Sequence, residues 1–248
     1  MSLPVVAVIV AAGLGLRYGG PTPKPVLKLT GRALIAMSIE AMSAGGCTDA
    51  IVVINPRAAN HFNAALTGAP IPVRLTPGGD TRQESVHAGL KVVAADPRLA
   101  TARAVLVHDA VRPMVPADVV ERVILGVDEG YPAVAPAVLV TDSIRLLGSD
   151  GTTSPVDRTR LRSIQTPQGF PLDVILSSHE RLAASGLEFT DDVTCAEHTG
   201  HPVTLVEGSR LAMKITEPMD LTVARALWKV RDTFGHHSGR RVMRLWSR

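Results

Sequence analysis

The chain has 248 residues, 46% hydrophobic and 20% charged, enough apolar material to bury a substantial core and too much for a disordered chain. Its two cysteines, Cys47 and Cys195, lie far apart with no CxxC partner, which excludes a disulfide framework and a structural zinc site and fits a reducing, cytoplasmic setting. The net charge of +3 is carried by the segment from Lys229, where Arg231, Arg240, Arg241, Arg244 and Arg248 face only Asp232. The body is therefore mildly acidic, and with two Trp and two Tyr it offers no stacking platform for nucleic acid. No apolar run approaches the roughly 20 residues of a membrane helix.

In chain order, Val5 to Val10 reads as a buried strand; Met1-Ser2 lacks the basic start of a signal peptide. The strand runs into a glycine-rich loop, Ala11 to Lys24, whose glycines let backbone amides approach a phosphate while Arg17 and Lys24 supply charge. The loop fits neither familiar phosphate motif. Tyr18 stands where a dinucleotide fingerprint needs its third glycine, and Lys24 lies between Pro23 and Pro25 rather than before Ser or Thr. Pro21, Pro23 and Pro25 forbid a helix directly after the glycines, so the loop is expected to stay extended and wrap its ligand.

Further strands are predicted at Ile51 to Ile54, Val73 to Leu75, Ala104 to His108 and Ala133 to Ala137. They alternate with helices at Ala33 to Met42, Ala58 to Leu66, Gln83 to Ala95 and Asp118 to Glu129. This is the pattern of an α/β, doubly wound, mostly parallel sheet, whose ligands bind beyond the carboxyl ends of the strands. Val138 to Leu147, a turn at Gly148 to Gly151 and Thr152 to Arg158 read as a projecting β-hairpin arm over about 138–160 that pairs with a second subunit. A helix at Leu172 to Ala184, a short acidic helix from Asp191, a strand at Val203 to Val206 and a helix from Glu217 to Trp228, capped by Thr216, complete a single domain over 1–232. A solvated basic tail follows at 233–248.

Four more segments have the chemistry of a phosphate-handling site. Gly78-Gly79-Asp80-Thr81-Arg82-Gln83-Glu84-Ser85 joins a strand to a helix, with open backbone and a hydroxyl that could read a base edge. Val107-His108-Asp109-Ala110-Val111-Arg112-Pro113 puts a carboxylate just past a strand, where it can hold Mg²⁺ on bridging phosphates. Arg158 with Gln165-Thr166-Pro167-Gln168 offers a cation and a hydroxyl, and Met213-Lys214-Ile215-Thr216 places a lysine before the last helix. His108 reads as a local hydrogen-bonding or metal-orienting residue, and Asp191 and Asp192 as capping and as orienting Lys214.

These segments, with Thr190-Asp191-Asp192, occur together and in order, and from residue 4 to 228 the chain resembles the 2-C-methyl-D-erythritol 4-phosphate cytidylyltransferase family. The resemblance implies a Rossmann-like nucleotidyltransferase fold, CTP and a polyol phosphate (methylerythritol phosphate) as substrates, Mg²⁺ or another divalent cation, and a homodimer joined by the hairpin arm. It places Ala11, Ala12, Gly13, Gly15, Gly79, Asp80 and Ser85 at the nucleotide, and Arg17, Lys24 and Lys214 as the catalytic cations. Asp109 falls at the metal, and Asp109, Arg112, Ser143, Arg158, Thr166 and Thr190 around the acceptor. Ser143 and Arg158 would complete the partner's site.

The pattern departs from the family in details. Pro25 follows Lys24 where glutamine is common, Tyr18 replaces a usual methionine, Ser143 replaces a threonine, and Leu211 stands where an acid often precedes the lysine. A ribitol 5-phosphate cytidylyltransferase and a catalytically silent nucleotide-binding regulatory module are the alternatives.

Overall fold

Val5–Val10 (β1) is apolar at every position, as a strand covered on both edges and both faces must be. The computed structural model describes residues 3–13 and 22–231. After β1 come β2 (Lys28–Leu29), β3 (Arg32–Ala33), α1 (Leu34–Ala44), β4 (Asp49–Ile54), α2 (Ala59–Ala65) and β5 (Val73–Pro77). Next are α3 (Arg82–Ala95), β6 (Ala104–Asp109), α4 (Ala117–Asp128), β7 (Ala133–Leu139), β8 (Ile144–Leu147) and β9 (Thr153–Val156). The chain continues with β10 (Arg162–Ile164), β11 (Gln168–Phe170), α5 (Leu172–Ser185), α6 (Asp192–His198), β12 (Val203–Glu207) and α7 (Pro218–Val230).

Among the described residues an eight-stranded sheet runs β10-β7-β11-β6-β1-β4-β5, with β12 added on β7. β1 is parallel to β4 and β6, β4 to β5 and β12 to β7, while β10 and β11 run antiparallel to their neighbours. Side chains alternate across β1. Val5, Ala7 and Ile9 meet Ile35 and Ile39 of α1, Phe62 of α2 and Val123 of α4, while Val6 and Val8 meet Val86 and Leu90 of α3 and Ile175 of α5. Helices thus cover both faces, the doubly wound, mostly parallel architecture that the alternation of runs predicts. Each fully buried Val, Leu, Ile or Phe contributes about 1.5–3 kcal/mol.

Strand register positions the site. Val10 lies beside Asp109, and Ile54 beside Pro77, so the loops after β1, β5 and β6 leave the sheet at one edge. Backbone bonds continue the ladder into them: Ala11 N–H donates to Val53 O (2.8 Å), Gly78 N–H to Ile54 O (2.9 Å) and Ala110 N–H to Val10 O (3.2 Å).

Three local expectations are corrected. The strand expected over Val138 to Leu147 is broken, because β7 ends at Leu139 and β8 begins only at Ile144; Thr141, Asp142 and Ser143 between them are exposed and outside any ladder. Gln165 to Phe170, given no element from the sequence, carries Gln168–Phe170 as β11, a strand too short for periodicity to reveal but buried between β6 and β7. Glu217, not Thr216, caps α7 in a capping box with Asp220, and the Thr216 N–H and hydroxyl both donate to the Asp220 carboxylate (2.7 and 2.5 Å). Among the described residues no helix is long and apolar enough to cross a membrane.

Candidate active site

A cleft of about 640 Å³ opens where the three loops converge. Ala11, Ala12 and Gly13 form one wall, Gly79 to Arg82 and Ser85 another, and Asp109, Lys24 and Lys214 bring charge beside Val111. Gly15 and Arg17 lie outside the described residues. After Pro23 the backbone makes a single 3-10 turn at Lys24–Val26, with Pro25 in its first turn. Lys24 Nζ lies 3.4 Å from the Thr216 carbonyl, which ties the glycine-loop end to the segment after Lys214.

The Gly78–Ser85 wall is rigid for a local reason. Thr81 and Glu84 form a reciprocal capping box: Thr81 Oγ1 accepts from Glu84 N–H (3.1 Å), and Glu84 Oε2 accepts from Asp80 and Thr81 N–H (2.7 and 3.1 Å). Ser85, buried at the first turn of α3, accepts from Gly79 N–H (3.2 Å) and donates to the Thr81 carbonyl (2.9 Å), so its hydroxyl helps to shape the wall. A Cβ on Gly78 would lie 2.6 Å from Ala12 Cβ and 2.7 Å from Ser85 Oγ; only glycine lets the two walls approach so closely.

Asp109 is the electrostatic centre. Its Oδ2 is 2.8 Å from Lys214 Nζ, its Oδ1 is 3.3 Å from Arg82 Nε, and Arg112 Nε stands 3.8 Å from Oδ2, close enough to attract but too far to hydrogen-bond. Burial works to raise the pKa of this carboxyl, but Arg82, Lys214 and Arg112 outweigh it and hold Asp109 well below the usual carboxylate range. Arg112 is not among the residues that line the cleft; it donates to the Ala212 carbonyl (2.7 Å) and so supports the segment that carries Lys214.

Behind Asp109, Thr166 Oγ1 accepts from the Asp109 N–H (3.1 Å) and meets His108 Nδ1 at 3.0 Å, while His108 Nε2 lies 3.3 Å from the Arg112 carbonyl. Burial pushes the His108 pKa down to about 4, so this histidine is a neutral local hydrogen-bonding group. Thr166 is likewise buried. Ser143 and Arg158 are exposed at the base of the β8–β9 arm, where Arg158 donates to the Thr141 carbonyl, and Thr190 is exposed at the bend before α6. None of these three lines the cleft of this chain.

Asp191 caps α6 as expected, its carboxylate accepting from Thr194 N–H (2.8 Å). Asp192 does not touch Lys214. It pairs with Arg82 (2.8 Å), a cation at the cleft that motif reading left without a role, because its two acidic partners lie 27 and 110 positions along the chain. Asn55 lines the cleft after β4 and carried no sequence signal beyond its place at a strand end. Among the described residues no three His, Cys, Asp or Glu side chains cluster to hold a metal. Asp109, ionised and single, fits a divalent ion only where phosphate oxygens complete the coordination, the usual arrangement for Mg²⁺.

The family model described as 2-C-methyl-D-erythritol 4-phosphate cytidylyltransferase matches residues 5–229. A protein of that name from Streptomyces coelicolor is 38% identical over 89% of this chain and 83% of its own, and one from Corynebacterium efficiens is 36% identical over 91% and 93%. Among solved structures, a 4-diphosphocytidyl-2C-methyl-D-erythritol synthase from Anaerococcus prevotii superposes with a TM-score of 0.80 at 28% identity, covering 92% of this chain and 96% of that one. A 2-C-methyl-D-erythritol 4-phosphate cytidylyltransferase from Thermus thermophilus superposes with a TM-score of 0.71 at 32% identity, covering 90% and 98%.

Proposed function

The chain belongs to the 2-C-methyl-D-erythritol 4-phosphate cytidylyltransferase family, and from that premise we propose how its own residues move the cytidylyl group of CTP onto 2-C-methyl-D-erythritol 4-phosphate, with release of pyrophosphate. The observation that carries the reading is the convergence of Lys24, Lys214 and the ionised Asp109 on one cleft with a glycine and alanine wall.

Ala11, Ala12, Gly79 and Ser85 receive the cytosine and ribose, where small side chains leave room for a pyrimidine, and Gly13 and Asp80 complete the nucleotide wall. Lys24, with Arg17, holds the triphosphate and stabilises the charge that develops on the departing pyrophosphate. Lys214 lies where it can draw the acceptor phosphate and the α-phosphate together. The acceptor's phosphate oxygen attacks the α-phosphorus in line, the bond to the bridging oxygen of pyrophosphate breaks, and the cytidylyl group passes to the acceptor. A phosphomonoester dianion is nucleophilic without a general base, which accords with a buried, neutral His108 outside the cleft lining. Asp109 would hold Mg²⁺ or another divalent cation, which when bound supplies charge neutralisation across the phosphates.

The β8–β9 arm is the proposed homodimer contact. It forms a two-stranded sheet apart from the main one and exposes Leu146 and Leu147, and Ser143 and Arg158, exposed at its base, are the proposed contributions to the partner's acceptor site. Cys47 and Cys195 are free and buried, in keeping with a reducing cytoplasm.

Incubating the protein with CTP, Mg²⁺ and, separately, methylerythritol phosphate, ribitol 5-phosphate or no acceptor tests the assignment through pyrophosphate release. Release with methylerythritol phosphate alone is expected; release with ribitol 5-phosphate alone would overturn the acceptor, and none with any acceptor would favour a silent binding module.

A further inference from the structure

Asp192 is a buried carboxylate with no place in the reaction as described. It is 1% exposed at the start of α6, and its N–H donates to Gln168 Oε1 (2.9 Å) on β11. Its Oδ1 meets His179 Nε2 at 3.2 Å, and its Oδ2 meets the Arg82 guanidinium at 2.8 Å. A charge so deep is costly to retain even when paired, and an apolar residue would pack there more simply. Arg82 carries the constraint outward, because its Nε reaches Asp109 Oδ1 while Lys214 takes Oδ2. The two oxygens of Asp109 are thus divided between two cations, one of which is anchored from behind.

We infer that Asp192 and Arg82 are positioning residues: Asp192 holds the Arg82 guanidinium so that Asp109 turns Oδ2, and with it Lys214, toward the cleft. Arginine suits this task and lysine does not, since a planar fork can offer Nε to one carboxylate and a terminal nitrogen to another. Without Asp192, Arg82 keeps only the 3.3 Å contact to Asp109 at the border of a cleft that takes phosphates. A guanidinium so placed would swing to phosphate oxygens, which it binds in bidentate fashion. The backbone of Arg82 is already fixed, as it lies within the Thr81–Glu84 capping box, so the side-chain clamp is what Asp192 adds. The consequence for Lys214 in catalysis rests on the cytidylyltransferase reading above; the clamp itself does not.

The test uses the full chain as wild type, Asp192→Asn, Arg82→Gln, their double variant and Arg82→Lys. Two quantities are read: steady-state kinetics with CTP and methylerythritol phosphate, and the rate at which a lysine-acylating reagent labels Lys214, followed by mass spectrometry. Each single variant is expected to lose about ten- to hundredfold in kcat with the KM for CTP changed less than about threefold, and the double variant to fare no worse than Arg82→Gln. Labelling of Lys214 should rise several-fold, equally in all variants. Arg82→Lys, a change at a partly exposed side chain that keeps the charge, should fall with Arg82→Gln, and it decides the matter should Asp192→Asn not fold. Additive losses in the double variant, kcat unchanged in folded variants, or unchanged Lys214 labelling would each overturn the inference. Absence of cytidylyl transfer in the wild type would instead overturn the functional reading, and the labelling would still decide the clamp.

Discussion

At the carboxyl ends of β1, β5 and β6 the chain gathers Arg82, Arg112 and Lys214 around the Asp109 carboxylate, with Asp192 as a second acid on Arg82. In the β8–β9 arm it does the reverse, holding the hairpin by its own ladder and by Arg145 on Thr153 while leaving Leu146 and Leu147 at 64% and 70% exposure. The cleft has its own ion-pair partners and is braced on both sides of the sheet edge. The arm buries almost nothing, and two strands alone are marginal in water. The cleft's ion pairs are therefore internal to one chain, whereas the arm leaves its apolar surface exposed, where we propose that a second subunit covers it.

The largest expected effect breaks the cleft side of this contrast. Lys24→Ala and Lys214→Ala should each lower kcat by about a hundredfold or more, the scale of losing one charge-stabilising donor, with the melting temperature little changed. Calorimetry beside pyrophosphate release checks both halves. The arm side is broken by Leu146→Asp with Leu147→Asp: sedimentation should show a dimer becoming a monomer, with activity down about tenfold or more if Ser143 and Arg158 serve the partner's site. A dimer that survives both changes would place the subunit contact elsewhere.

Smaller effects sharpen the cleft. Gly78→Ala forces the Ala12 and Ser85 walls apart, which should cost about 1–3 kcal/mol of stability and raise the KM for CTP several-fold. His108 is the smallest. Its folded pKa of about 4 lies below the ordinary 6.5, so the unfolded chain takes up a proton first as the solution is acidified. Stability should fall as pH drops from about 6.5 toward 4, on the order of 1–2 kcal/mol by pH 5. Urea unfolding at pH 7 and pH 5 should show a smaller drop for His108→Asn.

What was legible in the sequence follows the same division. The apolar run of β1, the alternation of strands and helices, and the short segments ending on Lys24, Asp109 and Lys214 are local patterns, and strand register brings them to one cleft. The Asp192–Arg82 pair spans 110 positions and joins α6 to α3, so no spacing announces it. Nor could periodicity find β11, whose three residues are a strand only because β6 and β7 lie on either side. The break at 140–143 did carry a local signal, since Thr141, Asp142 and Ser143 are three consecutive polar residues that interrupt the apolar pattern where the backbone leaves the sheet. Gly15 and Arg17, expected at the triphosphate, lie outside the described residues.

The reaction itself is tested most directly by the fate of label from CTP. With α-³²P-labelled CTP and methylerythritol phosphate, label should appear in the diphosphocytidyl product, and with γ-³²P-labelled CTP it should leave entirely as pyrophosphate. Label from the γ-position on the acceptor, or none from the α-position, would contradict cytidylyl transfer in this cleft.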